Sequence, residues 1–206
     1  MSILNCRILR NQAIVAVDTE ARHHDGSSRH CSKMYPLVHA NAVIGFRGHT
    51  AFLFSFLIAV YDRGSTFDEI VSLEPGMAQS VYDRCMKDDP FREIEALPYF
   101  AVGGTEIVMA GWSVSRGCAF ARILERKPGA QVFTYRDLVG GDFLAPFDES
   151  LSGLCDTAMD SPCMLDFART QKNLIEDKAP GTAAGGKYLV ADIRQHGMQI
   201  GTLGTL

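Results

Sequence analysis

Ala13-Ile14-Val15-Ala16-Val17-Asp18 is the stretch from which the fold can be read. Five consecutive apolar residues, three of them β-branched, leave no polar face, so a central strand covered on both sides is expected here. The run stops abruptly at a carboxylate. Upstream, Ile3 to Leu9 reads as a partner strand, with Arg10-Asn11-Gln12 as the hairpin turn between the two. Downstream, Glu20 to Ser32 turns polar around the turn signal Asp25-Gly26, and apolar patterning resumes at Met34 to Val38 and Ala42 to Ile44.

Further out, Gly45-Phe46-Arg47-Gly48-His49-Thr50 leads into Ala51 to Arg63, which reads as a buried helix rich in Leu, Phe and Ala. Gly64-Ser65 ends it. Thr66, with Glu69 three residues on, forms a capping box for the next helix, which Pro75-Gly76 breaks or kinks before Met77 to Met86. Strands are expected at Tyr99 to Val102, Thr105 to Trp112, Ala119 to Glu125 and Gln131 to Leu138, separated by glycine turns. Helices at Phe147 to Met159 and Met164 to Asp177 follow, the second introduced by Ser161-Pro162, and strands at Lys187 to Arg194 and Met198 to Leu203 close the pattern. No repeat, linker or composition break divides the chain, so one domain over residues 1–206 is expected. Blocks of antiparallel strands alternating with helix pairs suit an α+β fold: two packed sheets flanked by helices, a four-layer α-β-β-α sandwich.

The 206 residues are 47% hydrophobic and 21% charged, which excludes a disordered chain, and 20 Lys+Arg against 24 Asp+Glu give a net charge of -4. With no basic excess, neither nucleic acid nor an anionic membrane surface is an expected partner. The longest apolar run, Ala51 to Tyr61, falls short of the ~20 residues a membrane span needs. MSILNCRILRNQ has no sustained apolar stretch ahead of a small-residue cleavage site, so no signal peptide is expected. Six cysteines without a CxxC pair then read as reduced thiols in a cytoplasmic setting.

Four positions carry the chemical interest. Asp18 ends an apolar strand, where a carboxylate wants a cation or donated hydrogen bonds. Lys33 is the sole lysine of the first 86 residues. Gly45, opening Gly45-Phe46-Arg47-Gly48, stands at a strand-to-helix junction where backbone N–H groups can face developing negative charge. Ser2 follows the initiator Met1, and a small second residue permits methionine removal. A chain beginning at Ser2 would hold a hydroxyl nucleophile and, on the same residue, an α-amine titrating near ~7.7–8.0 that can act as general base.

The ordered set Ser2, Asp18 in Val15-Ala16-Val17-Asp18-Thr19, Lys33 in Ser32-Lys33-Met34, and Gly45 resembles the β-type subunits of the proteasome. It is closest in phrasing to the bacterial HslV-type peptidase, in the N-terminal-nucleophile (Ntn) hydrolase superfamily. The resemblance is carried by roughly the first 60 residues; Gly140-Gly141-Asp142-Phe143 and Ala184-Gly185-Gly186 match only loosely. It implies that Ser2 Oγ attacks an amide carbonyl with its own amine as base, and that Lys33 eases both deprotonations by its charge. It further implies that Asp18 holds Lys33 and that the Gly45 N–H donates to the oxyanion. The implied partners are a peptide or small amide substrate and further copies of the chain, in a homo-oligomer that could be a ring; no cofactor and no metal are implied. Serine stands where the family usually has threonine, and the family's later serine and aspartate have no match. A catalytically inactive, ring-forming or scaffold subunit is the alternative.

His23, His24, Asp25, His30 and Cys31 lie close together, but their spacing fits no common zinc pattern and a solvated loop is the better reading. Trp112, Phe46, Phe52, Phe54 and Phe56 read as core. Gly103-Gly104 lacks the helix and acidic residue of a dinucleotide fingerprint.

Overall fold

A computed structural model describes residues 2–22, 27–62, 64–72, 75–88, 104–160, 163–178, 180 and 184–206. The fold is α+β with three antiparallel sheets. The first hairpin is β1 (Leu4–Leu9) and β2 (Gln12–Asp18), running from Leu4 opposite Val17 to Leu9 opposite Gln12. On β2's other side lies β11 (Lys187–Arg194), which pairs with the edge strand β12 (Gly197–Thr205); β10 (Gly141–Ala145) pairs with β1. The first sheet therefore runs β10-β1-β2-β11-β12.

A second five-stranded sheet follows chain order: β5 (Met34–Leu37), β6 (Ala42–Arg47), β7 (Thr105–Ser113), β8 (Cys118–Arg126) and β9 (Thr134–Leu138). The two-residue period of each strand sorts its side chains into separate cores. Leu4, Cys6 and Ile8 of β1 and Val15 and Val17 of β2 pack with Val43, Val108, Ala110, Ala121 and Ile123 of the second sheet. The alternate residues Ile44, Phe46, Ile107, Met109, Phe120 and Leu124 turn the other way, toward α1 (Thr50–Tyr61), α2 (Phe67–Ser72) and α3 (Pro75–Cys85). On the far side of the first sheet, Ile3, Ala16 and Tyr188 meet Met164, Ala168 and Ile175 of α4 (Met164–Lys178).

The apolar run of β2 is thus covered on both faces, as its composition demands. The capping box at α2 also forms: Glu69 Oε2 accepts from the Ser65 and Thr66 N–H groups, and the Glu69 N–H donates to Thr66 Oγ1. Other expectations shift. The polar stretch after Asp18 contains a two-stranded hairpin, β3 (Glu20–Arg22) with β4 (Ser28–His30), held by backbone pairing that side-chain polarity does not reveal. The expected strand over Gln131 to Leu138 starts only at Thr134, and Phe147 to Met159 is a 3-10 helix at Glu149–Thr157. Phe54 leaves the core: with Ile58 and Tyr61 it lies on the outward side of α1 at 52%, 64% and 56% exposure, because 3.6-residue periodicity cannot bury every position of an all-apolar helix. The strand expected at Tyr99 to Val102, the cap at Ser161-Pro162, and His23, His24 and Asp25 lie outside the described residues. Among the described residues no cysteine is in a disulfide and no helix is long and apolar enough to cross a membrane.

Candidate active site

Strand register brings the N-terminal segment and the end of β2 together. The Asp18 N–H donates to the Ile3 carbonyl at 3.3 Å, which places the carboxylate beside the residue preceding β1. That segment begins with Ser2. Lys33 arrives from the second sheet, immediately before β5, and its ammonium reaches across to the same point. Its Nζ donates to Ser2 Oγ at 2.9 Å, to Asp18 Oδ2 at 2.7 Å and to the Glu20 carbonyl. Three ammonium hydrogens meet three acceptors.

Both members of the ion pair are out of water, with 0% exposure at Asp18 and 4% at Lys33. Two such charges are tolerated only where further hydrogen bonds offset their lost hydration. Asp18 has them: Oδ1 accepts from the Ile3 N–H at 2.8 Å, and Oδ2 from the Gly185 N–H at 3.1 Å. The carboxylate thereby joins the first strand, the start of the second sheet and the segment leading into β11. The structure brings Ser2, Asp18 and Lys33 into one hydrogen-bonded group.

Gly45 is not part of it. The residue sits within β6, opposite Met34 on one side and Val108 on the other. The N–H of its neighbour Phe46 points to β5, donating to the Lys33 carbonyl at 2.9 Å. Because N–H directions alternate along an antiparallel strand, the Gly45 N–H faces β7 inside the ladder and is not aimed at a ligand. Its glycine identity has a packing cause: a Cβ would stand 2.7 Å from Leu4 Cδ1 and 2.9 Å from Val15 Cγ1 of the facing sheet. The expectation that Gly45 donates to an oxyanion is corrected accordingly. Gly48, half-buried with φ +142°, ends this segment and directly follows Arg47, whose side chain contacts Ser2.

Sequence reasoning missed several contributors. The Glu20 carbonyl and the Gly185 N–H are backbone groups, invisible in side-chain chemistry. Arg47 donates through Nε to the Ser2 carbonyl at 2.9 Å and is paired with Glu106 at 2.5 Å. Its signal was present, a charged residue ending the apolar strand β6 just as Asp18 ends β2. Around the group, Thr19 Oγ1 accepts from the Lys187 N–H at 2.9 Å and lies 3.4 Å from His30 Nδ1. Burial pushes the Cys31 thiol up, with Lys33 opposing, and pushes the Tyr188 phenol, opposite Asp18 in the sheet, up as well.

No family model matches the sequence, and no curated protein matches it either. Among solved structures, the chain is similar to the Anbu (Gly-1) mutant from Hyphomicrobium sp. strain MC1, with a TM-score of 0.60 over 99% of this chain and 87% of that one. The likeness is one of fold. Anbu is a proteasome-type, Ntn-hydrolase-like fold, and at 10% identity the relationship is distant. This overturns the HslV-type reading of the sequence: the similarity found is to Anbu and extends to backbone architecture alone. Layered sheets fix where strands end and which positions are apolar, so a short run of matching residues in the first 50 can arise without closer kinship.

Proposed function

We propose that this chain is a hydrolase of amide bonds whose nucleophile is Ser2, exposed as the N-terminal residue once Met1 is removed. The observation that carries the reading is the buried Lys33 ammonium, 2.9 Å from Ser2 Oγ and fixed by Asp18 at 2.7 Å. Since Lys33 donates to Oγ, the hydroxyl's own hydrogen points elsewhere, and the α-amine on the same residue is the base within reach. The amine takes the Oγ proton as Oγ bonds to the carbonyl carbon, giving a tetrahedral oxyanion. Lys33 stabilises the charge developing on Oγ, and the Gly48 N–H is assigned to the oxyanion. Collapse breaks the C–N bond. The leaving amine takes the proton from the α-ammonium, and water, activated by the same amine, then releases the acid from the Ser2 ester. In this reading residues 1–206 form one domain with helix, sheet, sheet and helix layers.

The test is direct. Intact mass of the purified protein should lack Met1, and a peptidyl β-lactone, which esterifies an activated hydroxyl, should add its mass once. Ser2→Ala should abolish that addition. A chain that fully retains Met1 sinks this route.

The competing reading is a catalytically silent subunit with an assembly role. The row Phe54, Ile58 and Tyr61 along α1, with Val38 at 75% exposure, favours contact with another molecule, and a second copy of the chain is the partner proposed under either reading.

A further inference from the structure

We infer that Arg47, held by Glu106, is a positioning residue that fixes the Ser2–Ile3 peptide plane and thereby aims the nucleophile. This rests on the reading of Ser2 as nucleophile and goes beyond it: Arg47 holds the Ser2 carbonyl, and Glu106 holds Arg47.

The peptide unit linking Ser2 to Ile3 is gripped at both ends by charged side chains. Its carbonyl oxygen accepts from Arg47 Nε at 2.9 Å, and its N–H donates to Asp18 Oδ1 at 2.8 Å. Hydrogen bonds of this charge-assisted kind are roughly twice as strong as neutral ones. A peptide plane held from both sides has no freedom to rotate, so ψ of Ser2 is set. With ψ set, the two remaining substituents on the Ser2 Cα, the amine and the side chain, have fixed directions, and Lys33 then selects the side-chain position by its bond to Oγ.

Arg47 is suited to the task by its own support. It is 6% exposed, and Glu106, directly across the β6–β7 ladder, accepts from its Nη1 at 2.5 Å. Glu106 keeps one end of the planar guanidinium in place while Nε, part of the same rigid plane, presents its hydrogen to Ser2. A lysine could carry the charge but not both contacts from one plane. The buried fork therefore serves geometry at a terminal residue that would otherwise fray.

The experiment measures the rate at which a peptidyl β-lactone esterifies the wild type, Arg47→Met, Arg47→Lys and Glu106→Gln, by intact mass, alongside thermal unfolding of each. A misdirected nucleophile loses about 10–100-fold in rate. The expected result is a loss of that size in Arg47→Met, a similar loss in Arg47→Lys, and a smaller one in Glu106→Gln. All four proteins should unfold cooperatively, and added guanidinium should restore part of the Arg47→Met rate. Equal rates in wild type and Arg47→Met overturn the inference while leaving Ser2 as nucleophile intact. An unlabelled wild type removes the nucleophile itself, and the inference with it. Should Arg47→Met not fold, Glu106→Gln decides: wild-type speed in that variant overturns the clamp, and slowed labelling upholds it.

Discussion

At the residue scale, the Asp18–Lys33 pair is the most demanding feature of the molecule. Removing one partner of a buried pair strands the other charge, at a cost of about 3–5 kcal/mol. Lys33→Met should therefore lower the urea unfolding free energy by about that much, while the double variant Asp18→Asn with Lys33→Met recovers part of the loss. Purely additive losses would show that the two side chains do not act as a pair. These residues could be read from the sequence because each is a charge in an improbable place, a carboxylate ending an apolar run and a solitary lysine opening another. Gly45 misled for the opposite reason. A glycine carries no chemistry of its own, and whether it makes room for a ligand or for the side chains of Leu4 and Val15 depends on what lies across from it. Arg47 followed the same rule as Asp18, but its acceptor is a backbone oxygen 45 residues away, which no spacing announces.

At the element scale, α1 begins at an unusual cap. His49 Nδ1 accepts from the Ala51 N–H at 3.1 Å, a bond that requires the neutral imidazole with its hydrogen on Nε2. Burial pushes this imidazole down from 6.5 to about 4. The unfolded chain therefore binds a proton at a pH where the folded chain does not, and stability falls as pH drops from about 6.5 toward 4. A tenfold change in proton affinity corresponds to about 1.4 kcal/mol, so the full effect is about 3 kcal/mol. His49→Asn keeps a capping oxygen without the titration, so its thermal midpoint should vary less with pH across that window; an unchanged slope would assign the acid sensitivity elsewhere. Elements whose determinants are local were readable: the β1–β2 hairpin, the α2 capping box and the long apolar helix. The β3–β4 hairpin and β10 were not, because their strands are short and their stability comes from partners that side-chain patterning does not reveal.

At the scale of the whole molecule, the outward face of α1 is the surface in need of an explanation. Replacing Phe54 and Ile58 together by serine should leave the single chain cooperatively folded, because both side chains are exposed on it. If a second copy covers this face, the double variant should sediment as a smaller species than the wild type. A wild type that already sediments as a monomer removes that partner. The α+β class could be read from the alternation of strand blocks with helical segments. Kinship could not, because the same fold tolerates almost complete replacement of side chains, as 10% identity across a shared backbone illustrates.

The donors around Asp18 are far apart in sequence: Ile3 lies 15 residues before it and Gly185 167 residues after it, just ahead of β11, whose Tyr188 pairs with Asp18. A nascent chain on the ribosome cannot complete this set of hydrogen bonds until Gly185 has been synthesised. Contacts of such long sequence separation are also slow to form, because the loop between them must close first. A product terminated before Gly185 lacks one of the two backbone donors that hold the Asp18 carboxylate, so in it the anchor for Lys33 is incomplete.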